Sequence, residues 1–200
     1  MRLVDLRIGL PVETEELLKV RSTWPDLENP SSYVKCSVAA VDATLIGLKD
    51  NSPGYPSHIE DCSNRAALVF NMETYDELAK LFPGRDTFTA GGFGENFVVD
   101  HPELSPTVVC IGDKYQVGDA QFIVTGPRFP CPKVDAWHGT VGLQKHTLAF
   151  GQAGYFMKVF KAGRVCKNDK IVLLERKNPS YTIQRISQVG VWPLFVDALI

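Results

Sequence analysis

The chain has 200 residues, of which 44% are hydrophobic and 22% charged, the composition of an ordinary folded domain rather than of disorder, coiled coil or collagen. Its 21 basic and 23 acidic residues leave a formal charge of −2, which excludes a nucleic-acid or anionic-membrane surface as the main business of the protein. A chain of this length buries roughly 70% of its unfolded surface and needs no disulfide or structural metal to fold.

The start, MRLVDLRIGLPVETEELLKV, lacks the basic and apolar regions of a secretory signal. No stretch approaches the roughly 20 apolar residues of a membrane span. Five cysteines, Cys36, Cys62, Cys110, Cys131 and Cys166, lie far apart, and no C-x-x-C pair occurs. These features point to a cytoplasmic protein with reduced thiols.

The first helix is expected over Val12–Arg21, with Glu15 and Glu16 near its start and Lys19 at its end. Trp24-Pro25 and Asn29-Pro30 then break helical continuity. From Tyr33 onward, short bursts of β-forming residues follow: KCSVAAV, AALVF, NFVV, TVVCI, QFIVT, GYFMKVF and KIVLLE. Glycine and proline punctuate most of the gaps between them. One helix interrupts the series at Met72–Phe82, with Tyr75, Leu78, Ala79 and Phe82 at helical spacing and Asn71 as its cap. A weaker helix is expected around Gln144–Phe150, and the chain ends as a final strand with an apolar tail. The pattern gives a mostly β (α+β) fold, a barrel with a few peripheral helices. The expected division is residues 1–32 as helix and extension, 33–178 as the barrel and 179–200 as a tail.

The segment densest in chemical groups is Gly126–Gly139, GPRFPCPKVDAWHG. Pro130 and Pro132 hold Cys131 on a stiff loop, and Arg128 and Lys133 favour its thiolate. The same cysteine could instead fill a gap beneath the loop as a small hydrophobe. His138 is a candidate base or ligand; His58, His101 and His146 carry less. The remaining four cysteines show no ligand-like spacing. In GGFGENF the glycines let backbone amides approach a ligand, and Glu95 and Asn96 add polar groups at the start of a strand. The loop is neither a Walker A sequence nor a dinucleotide fingerprint. Gly112-Asp113 and Gly118-Asp119 read as structural turns of a hairpin.

Taken in order, GGFGENFVV, VCIGDKYQVGDAQFIVTGPRFPCPK and GQAGYFMKVFKAGRVCKNDKIVLLER resemble the MOSC domain, and more narrowly its YiiM-type branch and fungal relatives. The resemblance is strongest over residues 91–175. It implies a β-barrel holding a molybdenum cofactor, a pterin dithiolene, with Cys131 of P-R-x-P-C as the protein ligand to the metal. It also implies cofactor contacts from Gly94, Asn96, Arg65, Arg128 and Lys133, with Glu95 lining the site. The implied activity is reduction of small N-hydroxylated substrates with electrons from a flavin or iron–sulfur partner.

The sequence departs from that pattern where the family carries a histidine–histidine–glycine–glycine run. Here Ile59, Glu60, Asp61 and Cys62 stand there, adding bulk and negative charge, while Asp50 and Arg65-Ala66 match the flanking positions. A barrel enzyme that has dropped the cofactor and acts on an organic small molecule, with His138, Glu95, Asp135 or Cys131 as its acid/base candidates, is the alternative, and a non-catalytic carrier is a third.

Overall fold

The structure is a computed structural model that describes residues 1–20, 31–53 and 62–189. Eight strands form one curled mixed sheet: β11 (Ile171–Glu175), β7 (Lys114–Val117), β8 (Ala120–Pro127), β9 (Tyr155–Lys161), β5 (Ala67–Asn71), β6 (Phe97–Val99), β1 (Leu3–Ile8) and β2 (Cys36–Ser37). All neighbours are antiparallel except β5 and β6. The sheet bends back on itself, because Leu3 N donates to Asp169 O at 2.9 Å and Ile171 N to Met1 O at 2.9 Å, joining its two ends. A second sheet of β10 (Gly163–Cys166), β3 (Ala40–Thr44) and β4 (Gly47–Leu48) lies beside it. The expected mostly β, barrel-like architecture with peripheral helices is what the chain adopts.

Among the described residues five α-helices pack outside: α1 (Thr14–Val20), α2 (Met72–Leu81), α3 (Lys133–His138), α4 (Leu143–Phe150) and α5 (Ile183–Val189). Helix α2 starts where its cap predicts, with Asn71 Oδ1 accepting from Glu73 N at 3.1 Å. Every residue of β5 is buried, since Ala67 and Val69 enter the barrel core while Phe70 enters a second cluster beneath the helices. A continuous apolar run rather than an alternating one follows from that two-sided burial. The second cluster joins Phe70, Tyr75, Leu78 and Phe93 to Leu17 of α1, Val134 of α3 and Leu143 of α4.

Three local expectations are corrected. Residues 3–8, read as a lead-in to the first helix, form β1 between β6 and β2. The segment around Ile183 is a helix rather than a strand: Thr182 Oγ1 accepts from Arg185 N at 3.3 Å, and Ile183 and Ser187 share the buried face. The burst TVVCI is a buried turn region, with a single bridge from Cys110 to Thr182.

Gly118, at φ 57°, turns the β7–β8 hairpin as expected. Asp113 has a different structural task. Its carboxylate is fully buried, takes the forked guanidinium of Arg176 at 2.7–3.2 Å, and accepts from Cys110 N at 2.9 Å and Tyr115 OH at 3.3 Å. This cluster ties the end of β11 to the start of β7.

Candidate functional site

The GGFGEN turn connects α2 to β6, and Glu95 is its internal anchor. The Glu95 carboxylate is fully buried and accepts from Tyr75 OH at 2.8 Å, Gly91 N at 2.5 Å and Phe93 N at 3.1 Å. Burial and this neighbouring carboxylate together push the Tyr75 phenol well above its ordinary range. Tyr33 closes the turn from outside: its hydroxyl donates to Gly92 O at 2.8 Å. A Cβ on Gly94, at φ 69°, would lie 3.0 Å from the Tyr33 carbonyl oxygen, so the approach of the two segments requires glycine there.

Around Tyr33 the structure gathers cations from three separate elements. The Arg128 guanidinium, at the end of β8, lies 5.9 Å from the ring centres of both Tyr33 and Phe93. Lys35 is 8% exposed, and its ammonium donates to a neutral acceptor, Asn51 Oδ1, at 2.9 Å. Burial brings its pKa down to about 8, Arg128 pushes in the same direction, and Glu95 opposes. Arg7 on β1 donates to Asp5 Oδ2 at 2.8 Å and to Lys35 O at 2.7 Å, fixing the backbone that carries Lys35. Its guanidinium occupies the place where a Cβ on Gly91 would project. Arg7 Nε and Arg128 Nη1 are buried without a hydrogen-bond partner among the described residues. Buried donors of this kind are costly unless a ligand completes them.

Cys131 borders this cationic pocket. It is exposed, and it lies close enough to Tyr33 to influence the phenol electrostatically. Arg128 precedes it by three residues, and Trp137 on α3 places its ring 5.1 Å from that of Tyr33. Cys131, Arg128, Tyr33 and the GGFGEN turn are therefore brought together. Lys133 begins α3 immediately after the cysteine loop.

Other expected site residues are engaged elsewhere. Asn96 is 4% exposed; its Oδ1 accepts from Leu68 N at 3.1 Å and its Nδ2 donates to Arg7 O at 3.0 Å and Asn51 Oδ1 at 2.9 Å. It joins β1, β5 and the Asn51 loop instead of facing a cofactor. Glu95 is committed to the turn. His138 is 2% exposed, with Nδ1 2.7 Å from Thr87 Oγ1 and its ring stacked on Phe88 at 4.5 Å, so it is packed under the site. Arg65 is exposed and lies over the Phe156 ring at 5.5 Å. Asp50 is an exposed turn residue at φ 57°, and its neighbour Asn51 is the one that reaches the site.

His58, Ile59, Glu60 and Asp61 lie outside the described residues, as does the tail beyond residue 189. Sequence reasoning missed Arg7, Lys35, Tyr33 and Asn51. A lysine and an arginine beside apolar bursts were signals, but their burial was not. Among the described residues no three His, Cys, Asp or Glu side chains gather to hold a metal ion. No helix among them is long and apolar enough to cross a membrane.

Comparison with known proteins decides the family. The MOSC domain matches residues 54–172, more than half of the chain. The chain belongs to the MOSC domain family. A protein of Gibberella moniliformis named "Reductase" is 36% identical over 129 residues, which are 64% of this chain and 23% of that protein. YflK of Bacillus subtilis, described as uncharacterized, is 30% identical over 127 residues and 56% of its own length. YiiM of Escherichia coli is 26% identical over 170 residues, covering 84% of this chain and 74% of its own. The chain thus spans about a quarter of the first of these relatives and just over half of the second.

The crystal structure of YiiM from Geobacillus stearothermophilus superposes with a TM-score of 0.72 at 26% identity, over 94% of this chain and 83% of that one. That of the Escherichia coli YiiM gives 0.71 at 22% identity, over 97% and 79%, a likeness of fold. Within the MOSC family the chain is therefore YiiM-like.

Proposed function

We propose that this MOSC domain holds a molybdenum cofactor beside Cys131 and reduces small N-hydroxylated substrates with it. The observation that carries the reading is the meeting of an exposed thiol with a partly buried, underused set of cations. Lys35, Arg128 and the Nε of Arg7 offer donors that an anionic group would satisfy, and Cys131 offers the soft ligand that suits a soft metal centre. The residues present therefore fit a group that is anionic at one end and metal-bearing at the other. Arg128 suits a phosphate by its planar fork, and Lys35 by its compact charge. The "Reductase" name of the Gibberella relative agrees with redox chemistry.

When bound, the cofactor would supply the two-electron exchange that removes oxygen from nitrogen. In balance, an N–OH group, two electrons and two protons give N–H and water, the electrons coming from a flavin or iron–sulfur protein. The protein's own part is to hold and orient. Tyr33 and Glu95 fix the turn, the two prolines fix Cys131, and Trp137 packs against the Tyr33 ring.

Metal and pterin analysis of protein made in a host that synthesises the cofactor tests this. Molybdenum stoichiometric with the chain is expected, together with its loss in a folded Cys131→Ala variant. A preparation without molybdenum or pterin, from a host that loads a related protein, would overturn the reading and favour a cofactor-free enzyme in the same cleft.

A further inference from the structure

Cys131 projects from a loop with few means of anchoring itself. Pro130 and Pro132 have no N–H, so the loop is held through its carbonyls. Three consecutive ones are taken, that of Pro132 by Asp135 N at 3.1 Å. Cys131 O accepts from Val134 N at 3.1 Å, in the first turn of α3, and Pro130 O accepts from Gln144 Nε2 at 3.0 Å. The bond from Gln144 is the one side-chain hydrogen bond that reaches residues 129–131 among the described residues.

Gln144 is itself held rigidly. Its backbone N donates to Asp135 Oδ1 at 2.6 Å, and Gly142 N donates to Asp135 Oδ2 at 2.9 Å. Thr140 N donates to Asp135 O at 2.9 Å. Asp135 thereby caps the start of α4 and locks the α3–α4 corner, while Leu143 and Thr147 bury the inner face of α4. A side chain on a fixed corner thus reaches across to the carbonyl just before the thiol.

Peptide planes transmit this hold. The Pro130–Cys131 unit is planar, so fixing its oxygen also fixes the nitrogen that carries the Cys131 Cα. With the Cys131 carbonyl fixed as well, both planes flanking that Cα are set and only the side-chain rotamer stays free. We propose that Gln144 is a positioning residue whose amide N–H sets the direction of the Cα–Cβ bond that carries the Cys131 thiol. The proposal rests on the reading of Cys131 as the functional thiol.

The test is the rate at which iodoacetamide alkylates Cys131, read on the peptide that contains it, since Cys36 is also exposed. Gln144→Glu keeps the shape but, at neutral pH, sets a carboxylate against a carbonyl oxygen; Gln144→Met removes the polar group. Both are expected to change the rate by more than about threefold, the order of one neutral hydrogen bond. Gln144→Lys, which keeps a donor at similar reach, is expected to stay within that limit. Gln144→Asn, one methylene short, replaces any variant that fails to fold and should behave as Gln144→Met. Rates within about threefold of wild type for every variant, or a Gln144→Lys rate as altered as the others, overturn the proposal. Molybdenum content of Cys131→Ser separates the two ideas: metal retained there, with the expected Gln144 pattern, removes the metal reading and leaves the positioning role standing.

Discussion

Lys35 offers a quantitative test of the pocket. Its ammonium is buried with a neutral partner, and its pKa falls from the ordinary 10.5 to about 8. That difference of about 2.5 units corresponds to roughly 3 kcal/mol that the folded protein forfeits to keep Lys35 charged at neutral pH. Between pH 8 and 10.5 the unfolded chain binds the extra proton, so stability from this group rises with pH across that window and levels off above it. Lys35→Met removes the group. At pH 7 the variant should therefore be more stable than the parent by as much as ~3 kcal/mol, a gap that closes by pH 10.5. Urea unfolding of both proteins at pH 7 and near pH 10.5 measures it. The variant should also bind inorganic phosphate more weakly, since it trades an anion-binding group for stability. A stability difference independent of pH, or a variant less stable than the parent at pH 7, would refute the account of Lys35 as an unneutralised cation.

Two further outcomes concern the frame. Asp5 is driven upward by burial, but hydrogen bonds from Ser37, Lys167 and Arg7 outweigh this and bring its pKa to about 2. Its stabilisation, roughly 2 kcal/mol, is present above pH 4 and is lost as the pH falls through about 2. Acid titration of Asp5→Asn should lack that step, and an unchanged profile would contradict it. At the other end, Arg176→Met strands the buried Asp113 carboxylate and should cost about 3–5 kcal/mol. Asp113→Asn leaves the partly exposed Arg176 able to hydrate and should cost less; the reverse order in denaturant midpoints would show that the pair is not carried by the buried charge.

What the sequence made legible follows local signals. Helix α2 carries both its spacing and its cap within a dozen residues, and β5 announces its double burial as an unbroken apolar run. Strand β1 was hidden because its register shifts between Leu3 and Asp5, which breaks the alternation a strand would show. Helix α3 was hidden by its flanks: Pro132 and Gly139 look like loop punctuation but are its start and its left-handed end. The segment of α5 was read as part of a final strand, while the four-residue spacing that buries Ile183 and Ser187 is helical. Cys131 was visible because its stiffness is written in adjacent prolines. Arg7 and Lys35 were not, because no local pattern tells a buried cation from a solvated one. The return of β1 to β6 and the closure of Tyr33 on Gly92, both non-local, help to enclose them.

That non-local assembly bears on the departure at residues 59–62. The missing histidine–glycine run looked, in sequence, like a defect at the centre of a cofactor site. The cationic pocket, however, is built from β1, the segment leading into β2 and the end of β8, and its second-layer contacts run through Asn51, Asn96 and Glu95. The described partners of these groups are hydrogen bonds within that frame. That frame predicts an anion-binding wall set by the described residues themselves. If so, phosphate affinity should depend on Lys35 whether or not the protein carries molybdenum. A pocket whose phosphate binding vanished together with the metal would show instead that the cofactor organises the cations.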